Sequence, residues 1–215
     1  MDDIPWYRGI PPRLAAHWRL KLTWVPLFMA AFFLGYFLVL NHPWSRVTIM
    51  PVTALDRWIG FHPGSLALYV SLWLYVLLPT ALMDDTAELA VHALAAVALA
   101  VAGLAIFFCW PTAVPPWDID WSRYAAFAPL KAVDASGNAC PSLHAAFAIF
   151  SAAWIGRLLR RLRAPWLPRA LNGCWCAGIL YSTIATRQHV AVDLFAGAAL
   201  GGIAALLGRP PAAVN

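Results

Sequence analysis

Long apolar runs alternate with short polar stretches along most of the chain. Six runs, at about 24–41, 66–83, 88–109, 142–158, 170–187 and 190–207, are each near the ~20 residues a helix needs to cross a hydrocarbon core. The pattern predicts six transmembrane helices. Between the first two, residues 47–63 are too short and too polar to span, and Thr53 is placed to cap a short surface helix with Asp56 in its first turn. Residues 110–141 form the longest loop, rich in Trp, Pro and Asp, and a loop of that length beside a bundle is often functional. Residues 6–21 mix Trp, Leu and Arg and read as a stretch lying in the membrane interface. The expected fold is therefore all-α: a polytopic membrane protein, one membrane domain over 1–215, built as a bundle of six transmembrane helices. Residues 1–23 form its interfacial N-terminal segment, and a short surface helix joins the first two spans.

Composition agrees. The chain is 62% hydrophobic and 12% charged, whereas soluble domains carry about 25% charged residues. In a soluble protein a net charge of +5 would suggest a nucleic-acid partner. Here the positive residues sit between apolar segments, so topology and anionic lipid explain them and no nucleic acid is expected. An even number of helices puts both termini on one side. That side collects Arg8, Arg13, Arg19, Lys21, Arg157, Arg160, Arg161, Arg163, Arg169 and Arg209; the other has Arg46, Arg57, Arg123, Lys131 and Arg187. The bias predicts both termini in the cytoplasm, with the chain in the plasma (inner) membrane. The first apolar run lacks a small-residue cleavage site at its end and is expected to stay as an anchor. Four cysteines show neither CxxC nor Cys/His finger spacing. Cys109 and Cys140 flank the outer loop, where an oxidising compartment would permit a bridge, although two free thiols are the simpler reading.

Three ionisable side chains stand at the edges of apolar runs: His144, His189 and Asp193. Such groups are costly in spanning helices and point to function. Ser142 marks a helix start with His144 in its first turn, and this helix begins on the outer face. Its unpaired N–H groups and partial positive charge suit a phosphate. His189 and Asp193 lie at i and i+4 on one face of another helix that begins on the same side. Asp193 can accept a hydrogen bond from one ring nitrogen and leave the other free to attack, the logic of a triad with His as nucleophile. Two His and one Asp also raise zinc, but no HExxH-type spacing supports it, and neither metal nor cofactor is expected. His17, His42, His62 and His92 read as interfacial or packing residues. Asp84, Asp85 and Glu88 read as a solvated acidic turn and helix start.

These segments resemble the type-2 phosphatidic acid phosphatase superfamily. Its second motif ends in Pro-Ser-Gly-His, and Pro141-Ser142-Leu143-His144 departs at one position. Its third motif is Ser-Arg, five residues, His, three residues, Asp. Ser182, Thr183, His189 and Asp193 keep that spacing with Thr183 in place of Arg. The first motif is missing, and Trp110-Pro111-Thr112-Ala113-Val114-Pro115-Pro116-Trp117 stands where it would be. Leu143, the Pro-Thr and Pro-Pro pairs, and Gln188-His189 look more like the branch of inositol phosphorylceramide and sphingomyelin synthases. The resemblance covers roughly residues 50–207. It implies a six-helix lipid phosphatase or phosphotransferase with His189 as nucleophile, Asp193 as its partner and His144 as acid and base. The expected substrate is a membrane lipid bearing a phosphate, with water or a second alcohol as acceptor. Since two cationic phosphate ligands are absent, Arg187 is the best local substitute, Arg123 and Lys131 are further candidates, and Ser142 and Thr183 can donate hydroxyl hydrogen bonds. A non-enzymatic transporter or lipid-binding protein could use the same polar groups, but would place them near mid-bilayer rather than at its rim.

Overall fold

The computed structural model describes residues 5–133 and 137–208, so residues 1–4 of the N-terminal segment and Arg209 of the charge count lie outside the described residues. The chain is 74% helical. The helices are α1 (Ile10–Ala15), α2 (Trp18–Asn41), α3 (Ala54–Ile59), α4 (Leu66–Val70), α5 (Leu72–Tyr75), α6 (Leu77–Leu82), α7 (Thr86–Cys109), α8 (Ala128–Val133), α9 (Leu143–Arg161), α10 (Trp166–Ala185) and α11 (Ala191–Leu207). Two-residue strands β1 (Thr48–Ile49) and β2 (Thr112–Ala113) pair in parallel. Three stretches, Trp18–Asn41, Pro63–Leu82 and Thr86–Cys109, are long and apolar enough to cross a membrane, which makes the chain an integral membrane protein. α9, α10 and α11 occupy the remaining three predicted runs, with α11 apolar but shorter.

The elements differ from the apolar pattern where polar contacts intervene. α2 begins at Trp18, six residues before the predicted run, because Lys21 is buried and its ammonium donates to the Arg13 and Ala81 carbonyls at 2.7 and 2.8 Å. The second run is segmented into α4, α5 and α6, with Pro79, which lacks an N–H, in the last piece. Thr53 does cap α3: its hydroxyl accepts the Asp56 N–H, and Asp56 returns the bond to the Thr53 N–H at 2.7 Å. In the turn before α7, Asp85 caps the helix as its position suggests. Glu88 corrects the expectation of a solvated acidic turn: it is buried and paired with Arg161 at 2.5 Å, since α9 passes over it. Asp84 pairs with Arg13.

α9 is the hub, packed by α11 and α10 on one side and α6 and α7 on the other. The α9–α11 contact is so close that a Cβ on Gly197 would overlap the Ser142 carbonyl, and one on Gly201 the Ala146 carbonyl. Small residues four apart let helix backbones meet in this way. Phe150, Trp154, Leu99 and Phe107 fill one core cluster, and Tyr75, Ile155 and Ile179 fill another. At the end where α9 and α11 begin, α3, the β1–β2 pair and the loop up to α8 form a cap. Thr112 in β2 accepts the Cys140 N–H at 2.8 Å and so ties that cap to the start of α9.

Candidate active site

The two helix starts are fastened to each other. The Ser142 hydroxyl accepts the Ala145 N–H and caps α9, while the Ser142 N–H donates to the Asp193 carbonyl at 2.9 Å. On α11, the Asp193 carboxylate takes the Val190 N–H at 3.0 Å through Oδ2. The first N–H of α11, on Ala191, goes to the Asp56 carboxylate at 2.8 Å. Asp56 is fully buried, and sequence reading gave it only a local role in α3. The 135 residues between donor and acceptor hide this long-range cap.

His189 precedes α11 in a tight turn, where Arg187 has φ of 60° and the Thr183 carbonyl accepts both the Gln188 and His189 N–H groups. Its Nδ1–H donates to the Ala139 carbonyl at 3.1 Å. Asp193 Oδ2 lies 3.6 Å from the same nitrogen, an electrostatic neighbour rather than the hydrogen-bond acceptor that i,i+4 spacing suggests. The orienting bond thus comes from the loop before α9, and Nε2 is left with the lone pair. Asp193 Oδ1 has no hydrogen-bond partner among the described residues. Beside this carboxylate, burial first and then the negative charge push the Cys140 thiol up to about 11. All four thiols are free, with Cys109 and Cys174 exposed and Cys140 and Cys176 buried.

His144 lies flat on the Tyr69 ring, centroids 3.9 Å apart and planes 7° from parallel. Its Nε2–H donates to the Tyr69 carbonyl at 2.8 Å, which leaves Nδ1 as the proton-accepting nitrogen. Both histidines line one cavity of about 210 Å³. Asn138 and Gln188 add polar groups at the histidine end. From that end inward, α2 supplies a stripe of Phe37, Phe33, Phe32, Phe28 and Trp24, faced by Phe147 and by Trp73, which stands edge-on to His144 at 6.3 Å. From Phe37 to Trp24 is thirteen residues, about 20 Å of helix. Among the described residues no Lys, Arg, Asp or Glu lines this cavity.

The expected substrate contacts are placed differently from the histidines. Ser142 and Thr183 are fully buried, with their hydroxyls used inside the helices: Ser142 as a cap, Thr183 donating to the Leu180 carbonyl. The Arg187 guanidinium lies 4.2 Å over the Trp117 ring and donates to the Asp56 carbonyl at 2.9 Å. Burial lowers its pKa, and the Asp56 charge opposes that shift. Lys131 sits 4.4 Å over the Trp121 ring, and Arg123 is exposed in the same cap. The residues that sequence reasoning missed are Tyr69, Asn138 and Asp56. Only Asp56 had a readable signal, and that signal pointed to α3 alone. Among the described residues no group of three or more His, Cys, Asp or Glu is arranged to hold a metal ion.

No curated protein and no solved structure matches the chain. A model described as the PAP2 superfamily matches residues 89–209, which takes in α7 to α11 and with them His144, His189 and Asp193. Such membership brings phosphatase or phosphotransferase chemistry on phosphate-bearing substrates. With more than half of its length matched, including the two helix starts that carry the histidines, the chain belongs to the PAP2 superfamily.

Proposed function

We propose that this protein is a metal-independent phosphatase or phosphotransferase for a membrane lipid phosphate, working through a phosphohistidine on His189. One observation carries the reading: His144 and His189 stand together at the head of a cavity whose apolar, aromatic wall continues for about 20 Å along α2. That is a head-group site joined to room for an acyl chain, and a lipid would enter it laterally from the bilayer.

In this mechanism the His189 Nε2 lone pair attacks phosphorus while the Ala139 carbonyl holds the Nδ1–H. The bond from phosphorus to the leaving oxygen breaks. His144, protonated on Nδ1, gives that oxygen its proton and becomes neutral. Asp193, buried 3.6 Å from His189, offsets the positive charge on the phosphorylated ring. His144 then takes a proton from the acceptor, whose oxygen attacks phosphorus and releases His189. Water as acceptor gives a phosphatase. A lipid or polyol alcohol gives a phosphotransferase, as the resemblance to the inositol phosphorylceramide synthase branch implies. The positive ends of α9 and α11 favour the phosphate, and Arg187 joins them only by leaving the Trp117 ring. Arg123 and Lys131 in the cap complete the proposed contact set, and Ser142 acts on it through the start of α9 that it caps. Six helices span the plasma (inner) membrane, with both termini cytoplasmic and the histidines at the outer face.

The test is a panel of lipid phosphates given to the detergent-purified protein with and without alcohol acceptors, reading free phosphate and new lipid together. His144→Ala is expected to lose about 10²–10⁴ in rate, the usual worth of acid–base catalysis. Asp193→Asn falls strongly, and His189→Ala forms no acid-labile phosphoenzyme. Vanadate inhibits and a chelator does not. Substantial turnover in His189→Ala, or chelator-sensitive activity restored by zinc, overturns this mechanism.

A further inference from the structure

Deeper in the cavity than the catalytic histidines, the aromatic wall is interrupted by three polar side chains, His92, Thr80 and Ser151. His92 is 6% exposed, its ring packed against Phe150 and Trp154 at 5.2 and 5.0 Å, and its Nε2 has no hydrogen-bond partner among the described residues. A buried imidazole nitrogen left without a partner is unfavourable. The phosphoryl-transfer chemistry does not use it: Ser151 stands seven residues after His144 on the same face of α9, about 10 Å deeper. We propose that this deep end is a subsite for a hydroxyl group carried on the acyl chain of the substrate, an inference that rests on the lipid-phosphate reading above.

The chemistry of the wall selects the ligand. With no charged side chain lining the cavity among the described residues and with the Arg157 cation the charge that acts on His92, an ammonium on the chain would be desolvated without a counter-ion. A hydroxyl both donates and accepts, so it matches either His92 tautomer and the hydroxyls of Thr80 and Ser151. Phe28, Phe32 and Phe147 supply apolar surface for the glycerol backbone and the chain. The spacing also selects the position. An extended chain advances roughly 1.2 Å per bond, so 10 Å is about eight bonds. Eight bonds from the phosphorus of a glycerophospholipid reach a hydroxyl on the third carbon of the chain at the middle glycerol carbon.

The experiment compares two phosphatidic acids in mixed micelles, one with a 3-hydroxymyristoyl chain at the middle glycerol position and one with myristoyl there. They are presented to the wild-type protein, to His92→Phe and to Ser151→Ala. The wild type is expected to favour the hydroxylated lipid by about 3- to 10-fold in kcat/KM, the range that one net hydrogen bond gives. In His92→Phe that preference falls to near one while turnover of the plain lipid stays within about twofold, and Ser151→Ala, the milder change, reduces it. Equal rates in the wild type, or an undiminished preference in both variants, overturn the subsite. Thermal stabilisation by 3-hydroxymyristic acid against myristic acid separates this failure from that of the assigned reaction. If neither phospholipid is hydrolysed, yet the hydroxy acid still stabilises wild type more than myristic acid does and His92→Phe abolishes the difference, the reaction is wrong and the subsite stands. Equal stabilisation by the two acids sinks the subsite.

Discussion

Gly197→Ala should uncouple the two halves of the site. A Cβ at Gly197 meets the O, C and N atoms of Ser142, the residue that caps α9 two positions before His144. These are backbone atoms and cannot rotate aside, so α11 and α9 must part by on the order of 1 Å, and an error of that size in a reacting geometry costs about 10²-fold in rate. Overpacking of this kind costs about 1–3 kcal/mol, and the better helix propensity of Ala returns up to about 1 kcal/mol. Set against a full return, the net loss is about 0–2 kcal/mol, or up to roughly 8 °C in Tm at this chain length. Gly202→Ala is the control, because a Cβ there meets nothing within 4 Å and the same propensity gain is then unopposed. Both variants are assayed for lipid phosphate turnover and for thermal unfolding in one detergent. If Gly197→Ala keeps wild-type turnover and melts no lower than Gly202→Ala, close helix contact does not set the distance between the histidines.

Three further outcomes are expected. Asp56→Ala leaves the buried Ala191 N–H and the half-buried Thr53 N–H without their acceptor, at about 1–3 kcal/mol for the buried one, so it should lower both Tm and turnover, with Asp56→Asn in between; a melting point equal to wild type would exclude the long-range cap. In native protein at pH 8, maleimide should modify the exposed Cys109 and Cys174 and spare Cys140, whose thiol, held near 11, stays protonated and buried; mass mapping that finds Cys140 labelled as fast as Cys109 counts against that environment, and a Cys109 that labels only after reductant would revive the bridge. Reporter fusions at the C-terminus and in the 110–141 loop should report opposite sides of the membrane, and a C-terminal reporter on the outer side would refute the proposed orientation.

What the sequence made legible was mainly periodic or local. Apolar runs located the long helices to within a few residues, and Thr53 with Asp56 announced a cap that forms. Gly197 and Gly201 stand four apart in plain view, but their meaning depends on which helix lies opposite, and that is a tertiary fact. The second run carried Pro79 without showing that the helix would be segmented. The i,i+4 pair of His189 and Asp193 brought the two side chains near, yet i,i+4 spacing cannot foresee a carbonyl fifty residues earlier competing for the same nitrogen. Arg187 was singled out as a phosphate ligand from its place in the sequence alone. Its company on Trp117 and Asp56 comes from the long loop before α8 and from α3.

The α2 helix carries more of the apolar cavity wall than any other helix, yet it lies upstream of the 89–209 segment that matches the family. The reacting histidines and this aromatic stripe therefore stand on separate lengths of chain. If the proposed reading holds, changing that one hydrophobic helix would alter which lipid tails fit while leaving the reacting histidines in place.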